Sequence, residues 1–303
     1  MDEPLISVAL CTHNHADRLP ATLASFRTLK KPTRPWEILL VDNNCTDGTP
    51  ALLEETGWRP EGVPVRIVRE EKLGLSNARN CALANARGRY LLFIDDDETP
   101  DPHWLTAYET AILEHQPDAL GGRIEVLFEE GDRPAWLQDE LLGFLGRLNH
   151  GEACWLTRPE TPFYGGNFMV RMDVFERVGD FDADLGRKGD INAGGEDTEF
   201  YRRLLEAGGR IRWVPEAIIH HRIQAGKLRR SYFLDLHYRQ GLMEGSRKRG
   251  DKHRIPPRYL LGQLARAGRT VLGKRLREGK NHSLRSEMNL VYFLGYIRGW
   301  MLH

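Results

Sequence analysis

Cysteine is scarce in this chain. Cys11, Cys45, Cys81 and Cys154 are the four among 303 residues, and no two form a Cys-x-x-Cys pair. That spacing argues against a zinc site or a disulfide framework and predicts reduced, mostly buried thiols. Long apolar runs are missing too: no 18-residue stretch is apolar enough to suggest a membrane-crossing helix. The opening residues MDEPLISVAL carry neither the basic start nor the cleavage site of a secretory signal. A cytoplasmic protein is therefore expected, soluble or peripheral at the inner face of the membrane. No phosphate loop of the G-x-x-x-x-G-K type and no zinc-protease helix is found, and there is no internal repeat or low-complexity segment.

Net charge is also lacking, since 43 Lys and Arg balance 43 Asp and Glu. The balance hides a division. Residues 222–303 hold 19 basic against five acidic side chains, which leaves 24 against 38 in the rest of the chain. A basic tail of this kind suits anionic partners such as a membrane surface or phosphates, and a solvated, Arg-rich helical face accounts for it equally well.

What the chain does have is enough apolar residue, 41%, to bury a core at this length, as one large domain with an appendage or as two modest domains. LISVAL, WEILLV, VRIVR and YLLFI are short, apolar and bounded by polar or Gly/Pro clusters, and read as strands. Leu19, Leu23, Phe26 and Leu29 recur at helical spacing between the first two. Ser76 can cap a helix through NARNCALANAR that Gly88 ends. Strands alternating with helices predict an α/β fold, a Rossmann-like, mostly parallel sheet flanked by helices, with ligands beyond the carboxyl ends of the strands.

Three strands then deliver polar groups to one edge: Thr12 and Asn14 from the first, Asp42 from the second, and Asp95, Asp96 and Asp97 from the fourth. Beyond residue 100, Gly121 to Phe128 reads as a strand, and FYGGNFMVRMDVFERVG as a Gly-rich turn, a strand and a short helix. GRKGDINAGG reads as a mobile loop. EDTEFYRRLLEAGG reads as a helix with a Glu199–Arg203 pair, Phe200 and Leu204 inside, and Gly208 at its end. IRWV and PEAIIHHRI follow. From about residue 228 the pattern is helical, basic and punctuated by Gly and by Pro256 and Pro257.

Neighbouring carboxylates in a crevice repel one another unless a cation binds there, and hard divalent ions prefer carboxylate oxygens. Mn²⁺ or Mg²⁺ shared with a diphosphate is the functional reading of DDDE. The bland one is a solvated acidic loop capping the next helix, with Glu98 and Asp101 near its start.

Five motifs, SVALCTHNHADRLPATLASF, EILLVDNNCTDGT, GLSNARNCALANARGRYLLFIDDDETP, GGNFMVRMDVFERVGDFD and GGEDTEFYRRLLEAGGRIRWVPEAIIHH, together resemble the family-2 glycosyltransferases of the GT-A fold. The resemblance covers roughly residues 5 to 223. It implies transfer of a sugar, usually with inversion, from a nucleotide-diphosphate donor, UDP-sugars being favoured, to a hydroxyl on a glycan or lipid-linked acceptor in polysaccharide or glycoconjugate synthesis. It implies a GT-A-like catalytic domain over residues 1–225, with its nucleotide-binding part at about 1–100 and its acceptor and catalytic part at about 101–225, followed by a basic helical extension over 226–303. No nucleic acid partner is expected.

Carried onto these residues, the resemblance has Asp42 recognise the nucleobase, Asp95 lie near the ribose beside Asp96, and Asp97 hold the metal. Thr12 and Asn14 frame the nucleotide and Arg79 reaches it. Ordinary readings stand beside these: Asp42 can open an Asx-turn, and Arg79 can pair with Glu70 or Glu71. Asp197 is the expected base, with Glu196 as its neighbour or as the helix cap. His221, ahead of His220, is the expected metal or diphosphate ligand, because alternation along a strand lets one of the two face the crevice. Tyr164, Gly165, Gly166 and Asn167 would border the donor and acceptor sugars, or form a tight turn. Trp136 and Trp155 offer apolar faces to an acceptor, with core packing as the other reading.

Two rivals use other chemistry. A sugar-nucleotide nucleotidyltransferase would share the sheet, metal and crevice, but CTHNHADRL lacks the Gly-rich basic loop such enzymes use to grip a triphosphate. A non-enzymatic membrane scaffold built on the basic tail would leave GGEDTEF and DDDE unexplained. In the tail, LRRSYFLDLHYRQGLMEGSRKRG and LVYFLGYIRGWML are the segments suited to lipid contact.

Overall fold

The computed structural model describes residues 3–129, 131–187, 194–249 and 256–302. The chain forms two units, Met1–Glu125 with Arg147–Arg222, and Val126–Gly146 with Ile223–His303. Residues 126–146, placed by the sequence reading in the first domain, thus belong with the carboxyl-terminal helices.

In the first unit, β1 (Ile6–Thr12), α1 (Leu19–Ser25), β2 (Trp36–Asn43), α2 (Thr49–Glu54), β3 (Val65–Glu70), α3 (Leu75–Asn85) and β4 (Tyr90–Asp95) alternate. Then come β5 (Glu98–Pro100), α4 (Trp104–His115), β6 (Ala119–Phe128), β7 (Trp155–Leu156), β8 (Phe168–Arg171), α5 (Met172–Val178), α6 (Glu196–Glu206) and β9 (Ile211–Ile223). Among the described residues the sheet has nine strands in the order β3-β2-β1-β4-β8-β6-β9-β5, with β7 beside β9. β3, β2, β1 and β4 run parallel. β8 joins β4 antiparallel, β6 joins β8 antiparallel, and β5 and β7 pair antiparallel with β9. β2 is buried at all eight positions, as a strand covered on both faces must be, and this is why Ile38–Val41 is a continuous apolar run while Glu37 is paired with Arg66.

IRWV and PEAIIHHRI are one strand, β9, whose Pro215 does not interrupt it. The capping role given to Ser76 is corrected. Gly74 occupies the cap of α3, and Ser76 Oγ donates instead to the Leu185 carbonyl. α3 stops at Asn85, and the amides of Arg87 and Gly88 donate to Ser7 Oγ. All four cysteines are free, but Cys45 is buried while Cys11, Cys81 and Cys154 are half-buried. The loop expected over GRKGDINAGG falls largely on residues 188–193, outside the described residues.

The second unit holds α7 (Arg230–Arg249), α8 (Arg258–Glu278) and α9 (Leu284–Leu302). α7 and α9 pack through glycines. A Cβ on Gly241 or Gly245 would lie 2.1 Å from the carbonyl oxygen of Tyr292 or Tyr296, and one on Gly295 or Gly299 would lie 2.1 or 2.0 Å from that of Tyr238 or Leu242. The helices therefore meet backbone to backbone. Leu137, Leu141, Leu142 and Leu145 complete a core with Phe233, Leu284 and Met288. Trp136 meets Phe233 edge-on there. Among the described residues no helix is long and apolar enough to cross a membrane.

Candidate active site

Parallel registry puts Thr12 beside Asp42 and Cys11 beside Asp95, so the carboxyl ends of β1, β2 and β4 form one edge. Asn14, at φ 52°, turns the chain out of β1, and its Oδ1 accepts the Thr46 amide at 2.7 Å. Asp42 closes a local turn one residue wider than an Asx-turn: its Oδ1 accepts the amide of Cys45, three residues on, at 2.8 Å, while Oδ2 faces Arg69 at 3.8 Å.

The three aspartates after β4 diverge. Asp96 turns inward, where it accepts from Thr12 Oγ1 at 2.5 Å and meets His15 Nδ1 at 2.7 Å. The contact with Asp96 raises the pKa of His15. This corrects the reading of Thr12 and Asp96 as nucleotide ligands, since the two are engaged with each other and buried. The Asp96 carbonyl accepts from Thr22 and Arg222, which ties α1 and β9 to the cluster. Asp97 turns to β9, with its Oδ2 3.4 Å from His221 Nε2 and 3.9 Å from Arg18. His220, opposite Thr99 in the register, offers its carbonyl to that residue.

Asp95 and Glu98 face each other across the turn, with the Asp95 amide donating to Glu98 Oε2 at 3.0 Å. The crowding of protein around Asp95, whose side chain is still 41% exposed, raises its carboxyl to about 6, Arg79 opposing and Asp97 adding to the rise. Burial, then Asp95 and Asp97, push Glu98 well above the usual carboxylate range. Carboxylates gathered this closely oppose one another's ionisation. Glu98 is therefore a buried member of the cluster, not a solvated cap.

Arg79 is 1% exposed, which corrects the surface pairing with Glu70 or Glu71. Its guanidinium lies within 5.7 Å of the ring centres of Phe93, Phe168 and Phe181. Nη1 donates to Glu196 Oε1 at 2.8 Å and Nη2 stands 3.8 Å from Asp95. Burial opposes its charge, but Glu196, Asp95 and Asp197 more than offset that and raise its pKa. Glu196 is thus the partner of Arg79 and not a helix cap. Its Oε2 has no hydrogen-bond partner among the described residues.

Asp197, in the first turn of α6, accepts the Gly165 amide on Oδ2 at 2.7 Å and the Thr198 amide on Oδ1 at 2.7 Å. The YGGN turn therefore positions this acid. Its glycines admit protein groups: a Cβ on Gly165 would lie 2.2 Å from Arg79 Nη2, and one on Gly166 2.1 Å from Glu98 Oε1. Asn167 is corrected. It is 0% exposed, its Oδ1 accepts from Trp104 and Tyr108, and its Nδ2 donates to the carbonyls of Arg123 and Ala217, so no amide remains for a sugar hydroxyl. Trp155 is a surface residue whose ring lies beneath Arg210 and Arg212, which corrects the core reading.

Sequence reasoning placed Glu98 in the DDDE cluster or at a helix start, and missed His15 and Arg222 as members. Each adjoins a residue it did choose, and the side to which each turns depends on pairings distant in sequence.

The family model for glycosyl transferase family 2 matches residues 7–179. The chain is 30% identical over 246 residues to the succinoglycan biosynthesis protein ExoM of Rhizobium meliloti (strain 1021), an alignment covering 79% of this chain and 74% of that one. The chain belongs to glycosyl transferase family 2 and is a glycosyltransferase. Its fold is similar to that of S. aureus TarS 1–349 in complex with UDP-GlcNAc, at TM-score 0.55 and 19% identity over 77% of this chain. The chain spans 64% of that structure and 39% of the longer TarS structure. It is also similar to the mannosyltransferase PcManGT of Pyrobaculum calidifontis in complex with GDP-Man and Mn²⁺, at TM-score 0.53 and 19% identity, over 98% of this chain and 70% of that one. The GT-A fold with a helical carboxyl-terminal region is thereby established.

Proposed function

We propose that the chain transfers a sugar with inversion from a nucleotide-diphosphate donor, a UDP-sugar, to a hydroxyl of a glycan or lipid-linked acceptor, in polysaccharide or glycoconjugate synthesis. The observation that carries this reading is the approach of Asp97 Oδ2 and His221 Nε2 to 3.4 Å at the carboxyl edge of the sheet. Adjacent ligands on one octahedral ion at about 2.1 Å stand roughly 3 Å apart, so this pair fits a shared Mn²⁺ or Mg²⁺. Among the described residues no three His, Cys, Asp or Glu side chains are grouped to hold a metal. Two protein ligands suit an ion that completes its shell with diphosphate oxygens. When bound, such an ion would offset the negative charge that develops on the leaving diphosphate.

The chain's own residues do the rest. Asp42 and Asn14 frame the base, and Asp95 lies toward the ribose. Arg79 holds Asp95 and Glu196 apart as a buried strut. Asp197, its carboxylate fixed by the Gly165 amide, takes the proton of the acceptor hydroxyl as that oxygen attacks the anomeric carbon. One base suffices for a single displacement. The place assigned is the cytoplasm, with peripheral contact at the inner face of the membrane through the basic carboxyl-terminal residues.

Asp197→Asn should lower transfer by about 100- to 10,000-fold and leave donor binding intact. Full activity would remove Asp197 as the base. A thermal-shift screen of sugar nucleotides with Mn²⁺ finds the donor, because a ligand of the folded state alone raises the midpoint. A donor shift indifferent to Mn²⁺ would reject the role of Asp97 and His221.

A further inference from the structure

α8 carries two apolar stripes and covers one of them. Taken at about 100° per residue, Leu260, Ala267 and Val271 fall within about 40° of one another, and all three are buried. Leu261, Ala265, Leu272 and Leu276 fall within about 60°, centred about 130° further round the helix. The three leucines of this second stripe are 59%, 60% and 77% exposed. Packing on α9 accounts for the first stripe and leaves the second unexplained.

The charges beside the open stripe all have one sign. Arg258, Arg266, Arg269 and Arg277 are exposed and continue the same side of the helix. None of these four has an ion-pair partner among the described residues. Glu278, the one acid of α8, faces Lys274 at 3.9 Å, and Arg275 is taken by Glu287 at 2.8 Å. An outward helix face with leucines along its middle, arginines alongside and no free acid is built to lie at a boundary between hydrocarbon and negative charge.

We infer that the outward face of α8 docks on an anionic phospholipid surface, with Leu261, Leu272 and Leu276 entering the acyl boundary and the four arginines engaging lipid phosphates. This rests on the peripheral reading of the carboxyl-terminal residues and not on the transfer chemistry. A second copy of the chain is a poorer occupant. A twofold pairing of this face would bring four guanidinium groups of each copy toward those of the other, with no carboxylate between them. A sheet of lipid phosphates supplies the missing charge and the leucines' apolar medium together.

The test is co-sedimentation of the full chain with vesicles of phosphatidylglycerol and phosphatidylcholine, against vesicles of phosphatidylcholine alone. Binding should need the anionic lipid and weaken as salt is raised. The double variant Leu272→Ser/Leu276→Ser should lose at least about tenfold in vesicle partition. Arg266→Gln/Arg269→Gln should weaken binding and flatten its salt dependence. Because these side chains are exposed, both variants should keep the wild-type melting temperature and sugar-nucleotide thermal shift, so a failure of the docking face and a failure of the transferase reading stay distinguishable. Unchanged partition in the leucine variant overturns the proposal. So does a wild-type dimer in solution that the same variant converts to monomer, which would assign the stripe to self-association.

Discussion

Glycine serves opposite ends in the two units. In the first, Gly165 and Gly166 leave room for side-chain termini, the guanidinium of Arg79 and the carboxyl of Glu98. In the second, Gly241, Gly245, Gly295 and Gly299 leave room for the backbone of a facing helix. The absent Cβ admits a charged group at the candidate site and excludes everything but carbonyl groups between α7 and α9. A side-chain terminus can swing aside, whereas a helix backbone moves only as a body. The same substitution should therefore cost function in one unit and stability in the other.

The largest effect expected is at Gly299. Leucine there would drive a branched side chain into the Leu242 carbonyl, and no rotamer relieves an overlap that begins at Cβ. Gly299→Leu should lose about 3 kcal/mol or more of unfolding free energy by urea titration. Wild-type stability in this variant would show that α7 and α9 are not held at the separation described here.

Gly166→Ala comes next. Its Cβ would meet the Glu98 carboxyl 2.1 Å away, and Glu98 in turn holds the Asp95 amide. Stability should fall by about 1–2 kcal/mol, while transfer should fall about 100-fold, as it does when a reacting geometry is displaced by an ångström. Steady-state kinetics beside a urea titration separates the two. A variant that loses stability alone would place Gly166 with the helix glycines and erase the contrast.

The contrast also explains what the sequence could tell. The parallel half of the sheet was legible because β1, β2, β3 and β4 are short apolar runs whose periodicity is local, and the acids emerging from β4 marked the edge. Which way those acids turn was not legible. Asp96 turns inward because Thr12 donates to it and His15 meets it, both more than 80 residues away. Arg79 reads as a surface helix residue until the rings of Phe93, Phe168 and Phe181, from β4, β8 and the segment after α5, close around it. Asn167 reads as a free amide until α4 supplies Trp104 and Tyr108. In the second unit the glycines read as punctuation, although GLMEG and GYIRG repeat at four-residue spacing on helices, the signature of one close-packed face. The signal was present, but nothing local names its partner.

Buried carboxylates extend the comparison, and here acidity is the probe. Each unit buries an acid whose partners hold its pKa down. For Glu37, burial works against ionisation but is outweighed by Arg66, Ser7 and the Arg87 amide. For Glu287, burial is likewise outweighed by Ser283, Arg275 and Arg230. Their folded pKa values lie below the unfolded value of about 4.3. The stability they confer is therefore full above that value and is lost as pH falls through the folded pKa.

The first unit alone adds two acids of opposite sign. Asp95, at about 6, and Glu98, pushed well above the usual carboxylate range, bind protons more tightly folded than unfolded. What they contribute is fully present below their unfolded values, near 4, and is lost as pH rises through the folded ones. In chelator, acidifying from pH 7 to about pH 5 should thus raise the urea midpoint slightly before Glu37 and Glu287 lower it. Asp95→Asn should shrink the rise, and Glu287→Gln should keep the rise and soften the later fall. A midpoint that declines steadily from pH 7 in the wild type would mean that the carboxylates at the sheet edge do not repel one another, and with that the case for a cation between them would go.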